Sequence, residues 1–280
     1  MRVTSLRAIL WVCAPCPALL LLLLAPGCSG HRKPQKHPSL ITESDAAAFL
    51  QQAMEAPNAD DRREAIVQLR RTKYISQDTV VRGLCGVAET DTSNVVRRTA
   101  IGGLAQSGRA EALPTLVAIL TQEEEHDPRA RPATGTVRSE AAGALLYLIH
   151  DGVNVSRHAT AIRPAAIQAL ASDPSRETRM RAAELLGHLP DRETLDTLVS
   201  GLEQSDFGVV LECERSLMRM TGHSHNHDPL AWRAWLAEAS DPFADAGRLD
   251  AQLERREPNW LERTWDSTRR SLASYRPKGQ

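Results

Sequence analysis

Three histidines alternate in the segment His223-Ser-His225-Asn-His227-Asp228. On extended backbone, alternate side chains point the same way, so this spacing could gather imidazoles and a carboxylate around a metal ion. A stable site needs a closed ligand set, and no cysteine or further acid stands at a fixed interval from the three. Asp228 also has a competing duty. Asp followed by Pro is the pattern of a helix N-cap with proline at the first helical position. The expectation is therefore no resident metal and no cofactor, with His223, His225, His227 and Asp228 as weak candidates. A purified domain is expected to lose zinc on dialysis. The GxSxG, glycine-rich phosphate-loop and HExxH patterns of other chemistries do not occur.

The thiols read differently. Cys13 and Cys16 form a CxxC, but it lies inside an apolar run, which makes redox or metal chemistry a poor fit. Cys85 and Cys213 occupy apolar or small positions of helical patterns, where cysteine behaves as a small hydrophobe. Cys28 is the exception. Arg2 and Arg7 are followed by an uncharged stretch that includes Leu19 to Leu24 and ends Leu24-Ala25-Pro26-Gly27-Cys28-Ser29. A basic start, an apolar stretch and a small-residue end form an export signal over 1–27. Its removal takes two arginines and no acid, leaving a formal charge of −3.

The end of that stretch resembles the lipobox of bacterial lipoproteins, in which the Cys becomes the lipidated first residue. Gly27 and Cys28 fit the pattern. Ala25 stands where the family prefers Leu, and Pro26 is unusual. The resemblance implies acylation of Cys28, and Ser29 after it favours the outer membrane, facing the periplasm. Each buried CH₂ of an acyl chain adds about 0.8 kcal/mol of anchoring. Two alternatives stay open: cleavage by the ordinary peptidase to give a soluble periplasmic protein, or retention of residues 8–27 as one span. Pro15, Pro17 and Pro26 weaken the second. Residues 28–42, rich in Ser, Gly, Pro, Lys and His, read as a basic tether.

Behind these residues stands a repeated phrase. It runs Asp61-Arg-Arg-Glu-Ala65 to Leu69 and returns as Val96-Arg97-Arg98-Thr99-Ala100 to Leu104. It appears again at Val137-Arg138 to Ala141 and Leu145, and at Thr178-Arg179 to Ala182 and Leu186. A degraded copy runs Val209-Val210 to Cys213 and Leu217. The small residues are 35, 41, 41 and 31 apart, a spacing for helix pairs stacked into a solenoid. The small residue permits close helix approach, and the Leu four on lies one turn along the same face. Arg62, Arg97, Arg138 and Arg179 share one phase, with Asp60, Asp91, Asp127 and Asp173 preceding them. Stacking would set the Arg of one repeat beside the Asp of the next, which reads as a structural ladder rather than a binding site. First helices are expected near 60–71, 93–106, 135–149, 175–188 and 206–220. Second helices are expected near 76–89, 110–121, 157–171, 191–203 and 228–238.

The phrase resembles HEAT repeats, in the short form also seen in phycobilin-lyase-like proteins, over about 60–238. The run Met220-Thr221-Gly222 through Asp228-Pro229 to Trp232 and Trp235 looks like the closing element of bacterial HEAT-repeat proteins. The resemblance implies an all-α, right-handed α-solenoid of about five HEAT-like helix pairs with N- and C-terminal capping helices. On this reading the solenoid covers 43–238 and a helical extension covers 239–280. The deoxyhypusine hydroxylase type of HEAT enzyme carries paired His-Glu dipeptides, and none of the nine histidines here is followed by Glu.

Function is expected where the phrase breaks down. Residues 121–134 lack apolar periodicity and read as a surface loop or a binding insertion. In the extension, Asp241-Pro242 and Glu257-Pro258 mark two expected helix starts. Trp260, Trp265 and Tyr275 fall near one side of the second, as a cap or as a surface offered to a partner. A net charge of −1 gives no field for nucleic acid. The expected role is a non-catalytic protein–protein interaction scaffold on the bacterial cell envelope, with a partner of unknown identity and a lipidated Cys28. The alternative is a metal-dependent or lyase-like enzyme on the same solenoid.

Overall fold

The computed structural model describes residues 41–121, 133–153 and 158–248. The signal, Cys28, most of the tether and of the 121–134 interruption with Asp127, and the tail with Trp260, Trp265 and Tyr275 lie outside the described residues. Among the described residues there are eleven α-helices and no strand. None is long and apolar enough to cross a membrane.

The chain opens with a capping box. Thr42 accepts a hydrogen bond from the Asp45 amide, and the Asp45 carboxylate accepts one from the Thr42 amide. This starts α1 (Glu43–Glu55), which packs on the two helices that follow. The helices that carry the phrase are α2 (Ala59–Arg70), α4 (Asn94–Ser107), α6 (Gly135–His150), α8 (Arg176–Leu186) and α10 (Phe207–Thr221). Each touches the next, so they form one layer. The second layer adds α3 (Asp78–Thr90), α5 (Leu113–Thr121), α7 (Ala159–Ser172), α9 (Arg192–Gly201) and α11 (Pro229–Glu238) to α1. The architecture is an α-solenoid.

The phrase supplies its core. Ala65, Ala100, Ala141, Ala182 and Cys213 are buried, as are Leu69, Leu104, Leu145, Leu186 and Leu217. The larger Cys in the last copy has a matching recess. A Cβ at Gly201 on α9 would stand 2.5 Å from the Cys213 sulfur, so the missing side chain of one helix makes room for the extra atom of the other.

The second helices expected from about 76 and 110 begin at Asp78 and Leu113. Short 3-10 turns at Lys73–Ser76 and Ala110–Ala112 precede α3 and α5. Thr72 caps the first by accepting the Tyr74 amide at 3.2 Å. At the second, Pro114 has no amide hydrogen to bond the Ala110 carbonyl, so the α-helical ladder cannot start there.

The helix start expected at Asp241-Pro242 is not made. Asp241 does accept the Phe243 amide at 3.0 Å, as a cap would. The chain then turns through 241–248 instead of winding on, and the Gly247 amide bonds the Arg219 carbonyl at 3.0 Å. This strap presses the Asp245 carbonyl against Gly222. Gly222 has φ +74° and a space that a Cβ would fill only by collision, so glycine is required there twice over.

Candidate interaction surface

The repeated arginines are committed to the stack wherever the chain is described. Arg62 holds Asp91 through Nε at 2.7 Å and Nη2 at 2.9 Å, and its Nη1 donates to the Ala56 carbonyl at 2.9 Å. Arg138 holds Asp173 in the same way and donates to the Ala133 carbonyl. Each Asp ends a second-layer helix and accepts the amide of a serine two residues on, Ser93 or Ser175, at 2.7 Å. One rung therefore ties three segments: the chain before its own helix, the end of the second helix of the same pair and the turn into the next pair, so the acid belongs to the arginine's own helix pair and not to the repeat that follows. Such fork-to-fork pairs are strong and directional. Arg97 donates Nε to the Ala88 carbonyl at 2.8 Å, and its expected acid, Asp127, lies outside the described residues. Arg179 bonds the Asp173 carbonyl at 2.8 Å and meets no acid among the described residues. Gln204 stands where the next Asp would be and turns its amide to the Leu170 carbonyl at 2.9 Å.

The histidine turn is not extended, and its three imidazoles diverge. Asn226 and His227 both take positive φ, 54° and 65°. His223 Nε2 lies 3.3 Å from Asp245 Oδ2. His225 stacks edge-on against Trp232, with ring centres 4.6 Å apart. The His227 ring faces Phe207 at 5.9 Å. Asp228 caps α11, accepting the amides of Leu230 and Ala231 at 2.9 and 3.2 Å. Among the described residues no group of three or more His, Cys, Asp or Glu is placed to hold a metal ion.

What shapes this turn is a residue that motif reading passes over. Glu214 on α10 is buried, and its carboxylate accepts four hydrogen bonds. Oε1 takes the Ser224 hydroxyl at 2.8 Å and the His225 amide at 3.1 Å. Oε2 takes the His227 amide at 3.2 Å and the Trp232 indole N–H at 2.7 Å. The carboxylate draws the turn inward and seats Trp232, which is fully buried. Trp235, expected to share that duty, is only partly buried and meets the His223 ring at 4.7 Å. A signal for Glu214 was present in the sequence. The residue after the small one in each copy is Ile66, Ile101, Ala142 and Ala183, then Glu214, a charge at a core phase.

The outer face of the first layer is less spoken for. Arg70 crosses from α2 onto α4, where its Nε donates to Gln106 at 3.1 Å. Burial pulls its guanidinium below the ordinary value, opposed by Glu140 and then Tyr147. Arg98 bridges to Glu140 at 3.2 Å, and Tyr147 is half-exposed. Further along, the His150 and His188 rings meet edge-on at 4.7 Å. Burial, then Arg219, then His150 push the His188 pKa down to about 4. The two cysteines among the described residues, Cys85 and Cys213, are inert by placement. Burial, with Glu212 adding to it, raises the Cys213 thiol to about 12, and burial raises Cys85.

HEAT repeats match residues 46–135 and 163–241, which is 169 of 280 residues. No curated protein matches the chain.

Proposed function

The chain belongs to the HEAT-repeat family, and from that premise we propose that it is a non-catalytic protein–protein interaction scaffold of the bacterial cell envelope. In this reading Cys28 carries the lipid, the basic tether spaces the solenoid from the outer membrane, and the periplasmic partner is a protein rather than nucleic acid. A soluble periplasmic form is the outcome if the signal is cut without lipidation.

One observation carries the scaffold reading. Both ends of the described stack are closed, by α1 at one end and by the turn anchored on Glu214 at the other. Terminal repeats need such closure to stay soluble. With the ends sealed and the arginine phase committed to rungs, the broad faces of the layers are what remains for a partner. Trp260, Trp265 and Tyr275 in the tail are a second proposed contact.

The test is cross-linked capture from envelope membranes with Cys28 intact. A reproducible partner, lost when the solenoid is unfolded, is expected; none at all sinks the reading. The anchor is tested separately. Cys28→Ser is expected to abolish acyl labelling and release the protein from membranes, and unchanged labelling refutes lipidation at this residue.

A further inference from the structure

Gly143 lies in the middle of α6, where glycine costs about 1 kcal/mol relative to alanine. Packing does not demand it, since a Cβ built there meets nothing within 4 Å. Gly102 holds the same place one repeat earlier, each glycine standing two residues after the small residue of the phrase, Ala100 or Ala141. At Gly102 the space is in use. The Arg70 guanidinium lies across it, with Nη1 3.1 Å from the position a Cβ would take. Gln106, one turn along α4, accepts from Arg70 Nε at 3.1 Å and donates to the Arg70 carbonyl at 2.6 Å.

Moving one repeat along changes the cast. Arg70 is five residues after Ala65, and the residue in that register in the next repeat is Ala105, whose methyl cannot cross to α6. Gln106 is replaced in register by Tyr147, whose ring is half-exposed one turn beyond Gly143. Glu140 lies one turn before Gly143 on the same face. Both Arg98 hydrogen bonds fall on its Oε2, so Oε1 is the acceptor left for an incoming donor. The site keeps the glycine floor and an aromatic wall, beside a carboxylate that Arg98 bridges and that also acts on the Arg70 guanidinium, and it has no arginine of its own in register. Gly86 on α3 is equally open, but the residues a turn away on that helix are Arg82, Gly83, Glu89 and Thr90, which include no ring, and Glu89 already accepts the Thr115 hydroxyl at 2.7 Å.

We propose that the notch over Gly143 seats an arginine side chain of the partner protein, in the manner in which Gly102 seats Arg70. This rests on the scaffold reading for the existence of a partner. Arginine fits better than lysine because a planar guanidinium lies flat on bare helix backbone, stacks on Tyr147 and still has an N–H to donate to Glu140 Oε1.

The probe is N-acetyl-arginine amide, titrated into the ¹⁵N-labelled full chain in detergent. Saturable shifts at the Gly143 and Tyr147 amides are expected, at least tenfold weaker with N-acetyl-lysine amide. Gly143→Leu puts a side chain into the notch from a Cβ that meets nothing within 4 Å among the described residues, and is expected to weaken arginine binding at least tenfold while leaving the melting temperature unchanged or higher. Tyr147→Ala, at an exposed ring, is the second variant and is expected to weaken it severalfold. Absence of saturable shifts at these amides, or full affinity in Gly143→Leu, overturns the proposal. Envelope cross-linking separates the two readings. Equal capture by wild type and Gly143→Leu sinks the notch and leaves the scaffold standing. A saturable arginine response with no captured protein sinks the scaffold, and with it the protein partner of the notch.

Discussion

Arg138 on the first helix of its pair grips Asp173 at the end of the second through two hydrogen bonds of 2.6 and 2.8 Å, and both side chains are nearly sealed from water. A buried pair of this kind is costly to break, because the survivor is left charged without a counter-ion. Asp173→Ala is expected to destabilise the solenoid by about 3–5 kcal/mol in urea unfolding. Asp60→Ala, which removes an exposed contact to Arg63 at 3.9 Å, serves as the contrast. It is expected to change stability by less than about 0.5 kcal/mol. Similar losses for the two variants would contradict the ladder.

The same register identifies an incomplete rung. Arg179 has a buried Nε without a partner, and Gln204 stands two residues before the N-cap Asp206, as Asp91 and Asp173 stand before Ser93 and Ser175. Gln204→Asp exchanges a neutral hydrogen bond for a charge-assisted pair, roughly twice as strong. It is expected to raise stability by about 1 kcal/mol, read as a higher urea midpoint with an unchanged slope. A lower midpoint would show that the bond to Leu170 matters more.

Glu214 is expected to be the most sensitive residue of the last repeat. Glu214→Gln keeps the size but offers a single acceptor oxygen and an amide facing donors. It should cost about 3 kcal/mol, since buried donors such as the Trp232 indole lose their partner. Trp232 emission should shift to longer wavelength before global unfolding. Unchanged fluorescence and stability would mean that the turn is held by other contacts.

Gly201 and Cys213 should behave as a coupled pair. Gly201→Ala drives a methyl to 2.5 Å from the sulfur and is expected to cost about 1–3 kcal/mol. Cys213→Ala, which restores the residue found in the other copies, should relieve most of that cost. A double-mutant cycle reads the coupling, and strict additivity would refute the contact.

His188 sets a pH dependence. Its pKa in the fold is about 4, against 6.5 for the unfolded chain. The unfolded chain therefore binds the proton first. The contribution of neutral His188 is complete above pH 6.5, falls as the pH drops from there toward 4, and levels off below. Its partial exposure keeps the effect modest. Melting temperatures measured across that window should fall with acid in the wild type and fall less in His188→Phe. Identical profiles would exclude His188 as the source.

Much of the solenoid was legible from spacing alone. The small residue and the leucine four positions later recur because every repeat solves the same packing problem, so their phase survives in the chain. Element edges were less legible. The strap at 241–248 has the Asp-Pro signature of a helix start, yet contacts with Gly222 and Arg219 outweigh that local preference. The backbone of the histidine turn was illegible for a related reason. Alternation fixes side-chain direction only on extended backbone, and Glu214, ten residues or more away in sequence, bends the turn through Asn226 and His227.

The sequence by itself determined the helix pairs, the core positions and the phase of the arginines, because these follow from helical periodicity along a continuous chain. Only the tertiary structure decided which acid each arginine meets, where the three imidazoles point and that the space over Gly143 stays open. Those outcomes depend on distances between segments 29 or more residues apart or on a single buried carboxylate, and no local pattern records them.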